Sequence, residues 1–112
     1  MIVATTPEIA GRRILKTLEL VRGGSVRCTD FGTDIIATMK NLVGGEIDEY
    51  TKMLAEAREQ SLDRMMEAAA ELGANAVVGF RYMTAHITSG AAEILAYGTA
   101  VIIEEPETAL DA

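Results

Sequence analysis

The sequence predicts an α+β protein in which one long helix packs on an antiparallel sheet, and three observations carry that reading. Residues 46–72 hold no proline or glycine and repeat apolar side chains at helical spacing. Residues 76–88 and 91–103 are two β-rich runs parted by Ser89 and Gly90, the composition of a tight hairpin turn. A further extended run, opening near Arg12, precedes the helix. The 112 residues fit one domain over residues 1–104, followed by an acidic tail over residues 105–112.

The elements follow in chain order. Met1 to Ala4 reads as a short strand, stopped by Thr5, Thr6 and Pro7 because proline brings no ladder donor. From Arg12 to Val21, alternation sets Ile14, Leu18 and Leu20 on one side and Leu15 and Val21 on the other. Gly23 and Gly24 read as a turn, and Val26 and Cys28 share a face of a short return segment. Thr29, Asp30, Thr33 and Asp34 are helix-start residues, whose side-chain oxygens accept from unpaired first-turn amides. A short helix through Ile35, Met39 and Leu42 then ends at Gly44 and Gly45. The long helix, Glu46 to Leu72, buries a stripe of Ile47, Tyr50, Leu54, Ala57, Ser61, Met65, Ala68 and Leu72, and Gly73 is its natural C′ residue.

A two-residue hairpin loop places His86 opposite Glu93, Tyr82 opposite Tyr97 and Val78 opposite Val101 on one side of the pair. Val77, Gly79, Met83, Ile94, Ala96, Gly98, Ala100 and Ile102 fall on the other side, to which the long helix is assigned because the small members admit a close approach.

Composition excludes several functions. A net charge of −7 opposes nucleic-acid binding, which draws on clustered Lys and Arg to release counterions, and it disfavours anionic membrane surfaces. No apolar run approaches the roughly 20 residues that span a bilayer, and Met1 leads into Ile2 and Val3 without a basic, then apolar, secretory leader. A cytoplasmic protein is expected, and the single cysteine suits a reducing compartment. No P-loop, GxGxxG, HExxH or CxxC pattern is present.

Cys28, His86 and Glu93 are the candidate metal-binding residues; no catalytic or cofactor-binding residue is assigned. Each has a plainer alternative: Cys28 as a free core thiol, His86 and Glu93 as a cross-strand surface pair. The same pair is the one candidate for proton transfer. Met39, Met65, Met66 and Met83 read as core. Arg81, on the side given to the helix, calls for a helix carboxylate or an anion. Glu56, Glu59, Asp63 and Glu67 form a carboxylate-rich helix side, read as a solvated face that attracts cations if repeated around a ring.

Several runs resemble one family. They are Thr5-Thr6-Pro7, Val43-Gly44-Gly45, Ala57-Arg58-Glu59, Leu72-Gly73-Ala74-Asn75-Ala76-Val77-Val78-Gly79 and Gly98-Thr99-Ala100-Val101, and together they span nearly the whole chain to about Ile103. The chain resembles the YbjQ-like proteins, a bacterial and archaeal family often labelled as heavy-metal-binding. The resemblance implies a dodecin-like subunit assembled as a ring oligomer, usually a pentamer.

Self-association also follows from the residues alone. Both sides of the hairpin are apolar, yet one long helix and one short one are all the chain offers as cover. Phe80, Tyr82, Leu95, Tyr97 and Val101 are then left for a second copy, each large side chain gaining roughly 1.5 to 3 kcal/mol from burial. The expected function is a non-enzymatic homo-oligomeric scaffold or small-ligand binder. The alternatives are heavy-metal binding or sequestration, and an enzyme with a site between subunits.

Overall fold

Four strands and one helix make up the regular structure among the described residues, which are 1–28, 45–88 and 91–106 of a computed structural model. They run β1 (Ile2–Val3), β2 (Ile14–Cys28), α1 (Gly45–Glu71), β3 (Ala76–Thr88) and β4 (Ala91–Ile103). The sheet order is β1-β3-β4-β2. β4 pairs antiparallel with both β2 and β3, while β1 lies parallel to β3 through Ile2↔Ala76 and Val3↔Val77. The sheet is therefore mixed, a correction to the all-antiparallel expectation. A parallel neighbour needs a long crossover, and here β2 and α1 lie between the two strands. The expected short helix, the Ser89–Gly90 turn and the tail beyond Pro106 lie outside the described residues.

The long helix falls within one residue of its expected bounds. Gly73, at φ +84°, closes it: the Ala74 amide donates to the Ala69 carbonyl at 3.1 Å and the Gly73 amide to Ala70 at 2.9 Å, a paired cap that satisfies the last carbonyls. Ala57, Ser61, Met65 and Ala69 are buried along one stripe, whereas Leu72 lies past the helix end and is exposed. The sheet side of this core contributes Val21, Val77, Ala96 and Ala100, with Leu18, Leu62 and Phe80 packed against them.

Gly23 and Gly24 make no turn. β2 passes straight through them, Gly23 opposite Ala96 and Gly24 opposite Leu95. A Cβ on Gly23 would overlap the Ser61 carbonyl oxygen and the Met65 amide, and would stand 2.8 Å from Arg64 Cβ. The glycine is thus the place where helix backbone rests on strand backbone. Gly98 plays a related part beside Val77, whose Cγ1 would lie 2.6 Å from an added Cβ.

Two irregularities shift the hairpin register. Pairing slips between Val78 and Arg81 and again between His86 and Thr88, so Arg81 faces Tyr97, Tyr82 faces Ala96, His86 faces Ala92 and Ala85 faces Glu93. The first slip sits at Gly79, whose φ of +63° an ordinary L residue adopts at a cost. Between the two slips the side chains of β3 sit on the faces opposite to those a regular hairpin strand would give, and at Thr88, paired with Ala91, the expected register returns. Phe80 and Tyr82 join the helix side, and Arg81 and Met83 turn away from it, each opposite to expectation.

The second face of the sheet is covered at its base by the chain itself. Ala76, Val78, Val101 and Ile103 are buried there beneath Ile2, Ile9 and Ile14. The N-terminal segment reaches this position through a tight turn at Gly11, φ +80°, which brings Ile9 opposite Arg12. Asn75 closes the same end: its Oδ1 accepts from the Ile103 amide at 2.8 Å and its Nδ2 donates to the Ile103 carbonyl at 2.9 Å. Arg12 Nε donates to the Glu104 carbonyl at 2.8 Å, and Arg12 and Asn75 also reach Glu105.

Candidate functional site

Above that base the second face has no cover among the described residues. Register places Leu20, Arg22, Gly24, Val26 and Cys28 of β2, Glu93, Leu95, Tyr97 and Thr99 of β4, and Arg81, Met83 and Ala85 of β3 on this side. Glu93 Oε2 and Leu95 Cδ1 both lie 3.9 Å from the Cβ direction of Gly24, which fixes their common face. Leu20 is 65% exposed, Val26 54%, Met83 50% and Ile87, near the hairpin end, 57%. Leu20, Val26 and Met83 lie on rungs of one face, joined through half-buried Leu95 and Tyr97 and interspersed with Arg22, Arg81 and Glu93, an exposed apolar surface of the kind that marks an interaction site. Phe80, by contrast, packs on the helix side and Val101 is buried from within, so neither belongs to it as the sequence had suggested.

The helix lies mainly across β2 and β4 and touches β3 least. Tyr82 marks its near margin, edge-on to Phe80 with ring centroids 4.8 Å apart and its hydroxyl donating to the Arg58 carbonyl at 3.4 Å. Burial pushes the Tyr82 phenol above its usual range; Glu59 and, more weakly, Asp63 add to the rise, and Arg58 opposes it. On the opposite margin, Ser25 donates to Gln60 Oε1 at 2.8 Å and Arg27 donates to the same oxygen at 3.2 Å. Between the two, Ser61 donates to the carbonyls of Ala57 and Ile94, each at 2.9 Å, which ties helix to sheet inside the core.

The sequence-derived candidates do not converge. Cys28 is exposed on the open face, not in the core. Glu93 shares that face, one rung away, but His86 stands on the helix side of the sheet, so the pair expected for proton transfer is split across the two faces. The slip between His86 and Thr88 carries His86 to a different register partner, and no periodicity rule reveals it. Among the described residues no three His, Cys, Asp or Glu side chains gather as a metal site. Arg81 is exposed and donates to the Thr5 carbonyl at 2.9 Å, away from the helix carboxylates. Met65 is core as expected, whereas Met83 lies on the open face. No helix among the described residues is long and apolar enough to cross a membrane.

Comparison with known proteins gives a consistent picture. Residues 1–104 match the model of the YbjQ_1 family, described as "Putative heavy-metal-binding". The chain is similar to a UPF0145 protein of Pyrococcus horikoshii, 54% identical over 107 residues that cover 96% of this chain and 92% of the relative. It is 49% identical over 111 residues to a UPF0145 protein of Clostridioides difficile, covering 99% of each. Among solved structures, a Pediococcus pentosaceus protein of the DUF74 family, described as of unknown function, aligns with a TM-score of 0.63 at 19% identity over 93% of this chain and 98% of its own. That likeness is one of fold.

Proposed function

The chain belongs to the YbjQ_1 family, and from that premise we propose that it is a non-enzymatic, homo-oligomeric scaffold or small-ligand binder that uses its open sheet face for self-contact. The supporting observation is the uncovered patch around Leu20, Val26, Met83 and Ile87. Full burial of such side chains is worth roughly 1.5 to 3 kcal/mol each, and four of them together reach the scale of the freedom lost when two chains associate. A second copy is the partner always at hand, and closed cyclic symmetry ends the assembly at a finite size. The ring, its dodecin-like subunit arrangement and the pentamer belong to this proposal, as does a cytoplasmic setting, which suits the exposed lone thiol of Cys28. Light scattering or sedimentation at micromolar concentration is the test. A multiple of the 12.0 kDa chain mass is the expected result, and a purely monomeric species overturns the reading.

Metal binding is the second reading, favoured by the family's description and by Cys28 and Glu93 sharing one face. One soft and one hard donor hold a metal poorly, so copies of the pair brought together between subunits would have to complete the site. Metal analysis of untagged protein after dialysis decides: less than about a tenth of an equivalent per chain removes this reading.

A further inference from the structure

We propose that Arg12 and Asn75 form a binding site for a small carboxylate with an apolar body, and that Glu105 of the same chain fills it as a built-in competitor. The site lies at the base of the sheet, away from the open face, and does not depend on self-association.

Both oxygens of the Glu105 carboxylate are held by groups from other parts of the chain. Oε1 accepts from Asn75 Nδ2 at 2.8 Å, and Oε2 accepts from Arg12 Nη2 at 3.4 Å. Neither donor owes its position to Glu105. Arg12 is oriented through its Nε, which donates to the Glu104 carbonyl at 2.8 Å, and Asn75 through its clasp on both main-chain groups of Ile103. One Nδ2 hydrogen of Asn75 serves the Ile103 carbonyl, which leaves the second for a carboxylate. Donors fixed before their ligand arrives lose little freedom on binding it, and their bonds to an ionised group are of the stronger kind.

The two sides of this contact differ in standing. The Arg12 side chain is 21% exposed and belongs to the body of the fold, whereas that of Glu105 is 74% exposed and stands just past β4. An ion pair so open to water adds little to stability. The end of β4 is fastened without it, by Asn75 on Ile103 and by the Glu104 amide, which donates to the Arg13 carbonyl at 2.9 Å. Glu105 is therefore displaceable. Beside it lies an open depression of about 480 Å³, whose other walls are Met1, Ile2, Ala74 and Pro106. Apolar walls with a few placed polar groups are the ordinary make-up of a small-molecule site. A short-chain acid sets its carboxylate on Arg12 and Asn75 and its hydrocarbon against Met1 and Ile2.

Butyrate is the probe, titrated into the isotope-labelled full-length chain and followed at the Asn75 side-chain amide resonance by NMR. Glu105→Ala removes the competitor and should bind butyrate about fivefold or more tightly than the natural chain, because the fraction of open sites rises. Adding Arg12→Gln to Glu105→Ala should abolish the response, with circular dichroism to check the fold. Arg12→Lys in the same background keeps the charge, drops the planar fork and should bind several-fold more weakly. Equal binding by the natural chain and Glu105→Ala overturns the proposal, as does equal binding by Glu105→Ala with Arg12 or Lys at position 12. An Asn75 resonance that stays still in Glu105→Ala at millimolar butyrate, or that answers equally to the neutral amide butyramide, overturns it too.

Discussion

The two faces of the sheet differ most in side-chain size at the place where the helix crosses. Under the helix stand Gly23, Ser25, Ala96, Gly98 and Ala100; across the same strands, facing away, stand Leu20, Arg22, Val26, Leu95 and Tyr97. Hydrophobicity does not distinguish the faces, since both are rich in apolar groups. Size does where the helix crosses: backbone resting against a strand needs Gly23 and the small residues beside it, while Val21, Val77 and Ile94 fill the rest of that face.

That contrast can be broken by substitution, beginning with the largest expected effect. Met65→Ala, at the centre of the helix–sheet core, should cost about 2 to 5 kcal/mol in urea unfolding, because its neighbours cannot collapse fully into the space. A loss below about 1 kcal/mol would mean that the helix is not the main cover of its face. Adjacent glycines then give a paired experiment. Gly23→Ala forces a methyl into helix backbone and should cost about 3 kcal/mol, whereas Gly24→Ala points to the open side and should stay within about 0.5 kcal/mol. Equal effects would contradict the assignment of faces. Ser61→Ala should cost about 1 to 2 kcal/mol, as it leaves the buried Ile94 carbonyl without that donor.

On the open face, Leu20→Ser should change the stability of the single chain by less than about 0.5 kcal/mol at concentrations too low for assembly. The smallest effect is one of pH. Because the Tyr82 phenol titrates above its ordinary 10.0 in the folded chain, its contribution is fully present below pH 10.0 and is lost as pH climbs through the raised value. Tyr82→Phe should flatten the alkaline fall in stability, and an unchanged slope would place the cause elsewhere.

The parts of this architecture that were legible in the sequence are those governed by local pattern. The helix from Gly45 to Glu71, its glycine cap and the two long hairpin strands all show as periodicity and punctuation. What escaped were contacts between distant segments. Gly23–Gly24 carries a turn's composition, yet the first glycine answers to Ser61 and Met65, about forty residues away. β1 gives no sign of choosing β3 as its neighbour. Gly79 was the available clue to the slip in the hairpin, since a glycine inside a strand often marks a bulge. The other slip, between His86 and Thr88, carries no glycine; it exchanged the sides of Tyr82, Arg81 and Met83 and parted His86 from Glu93, so the proton-transfer pair failed for a reason of register, not chemistry.

Asn75 has a consequence of its own. Its amide grips the N–H and C=O of a single residue, Ile103, much as a neighbouring peptide group would. At Ile103 the clasp therefore engages only main chain and is blind to what position 103 carries. Substitution there is free to tune the apolar filling beneath the N-terminal segment while the fastening of the last strand stays the same, so two tasks that meet at one residue can vary independently.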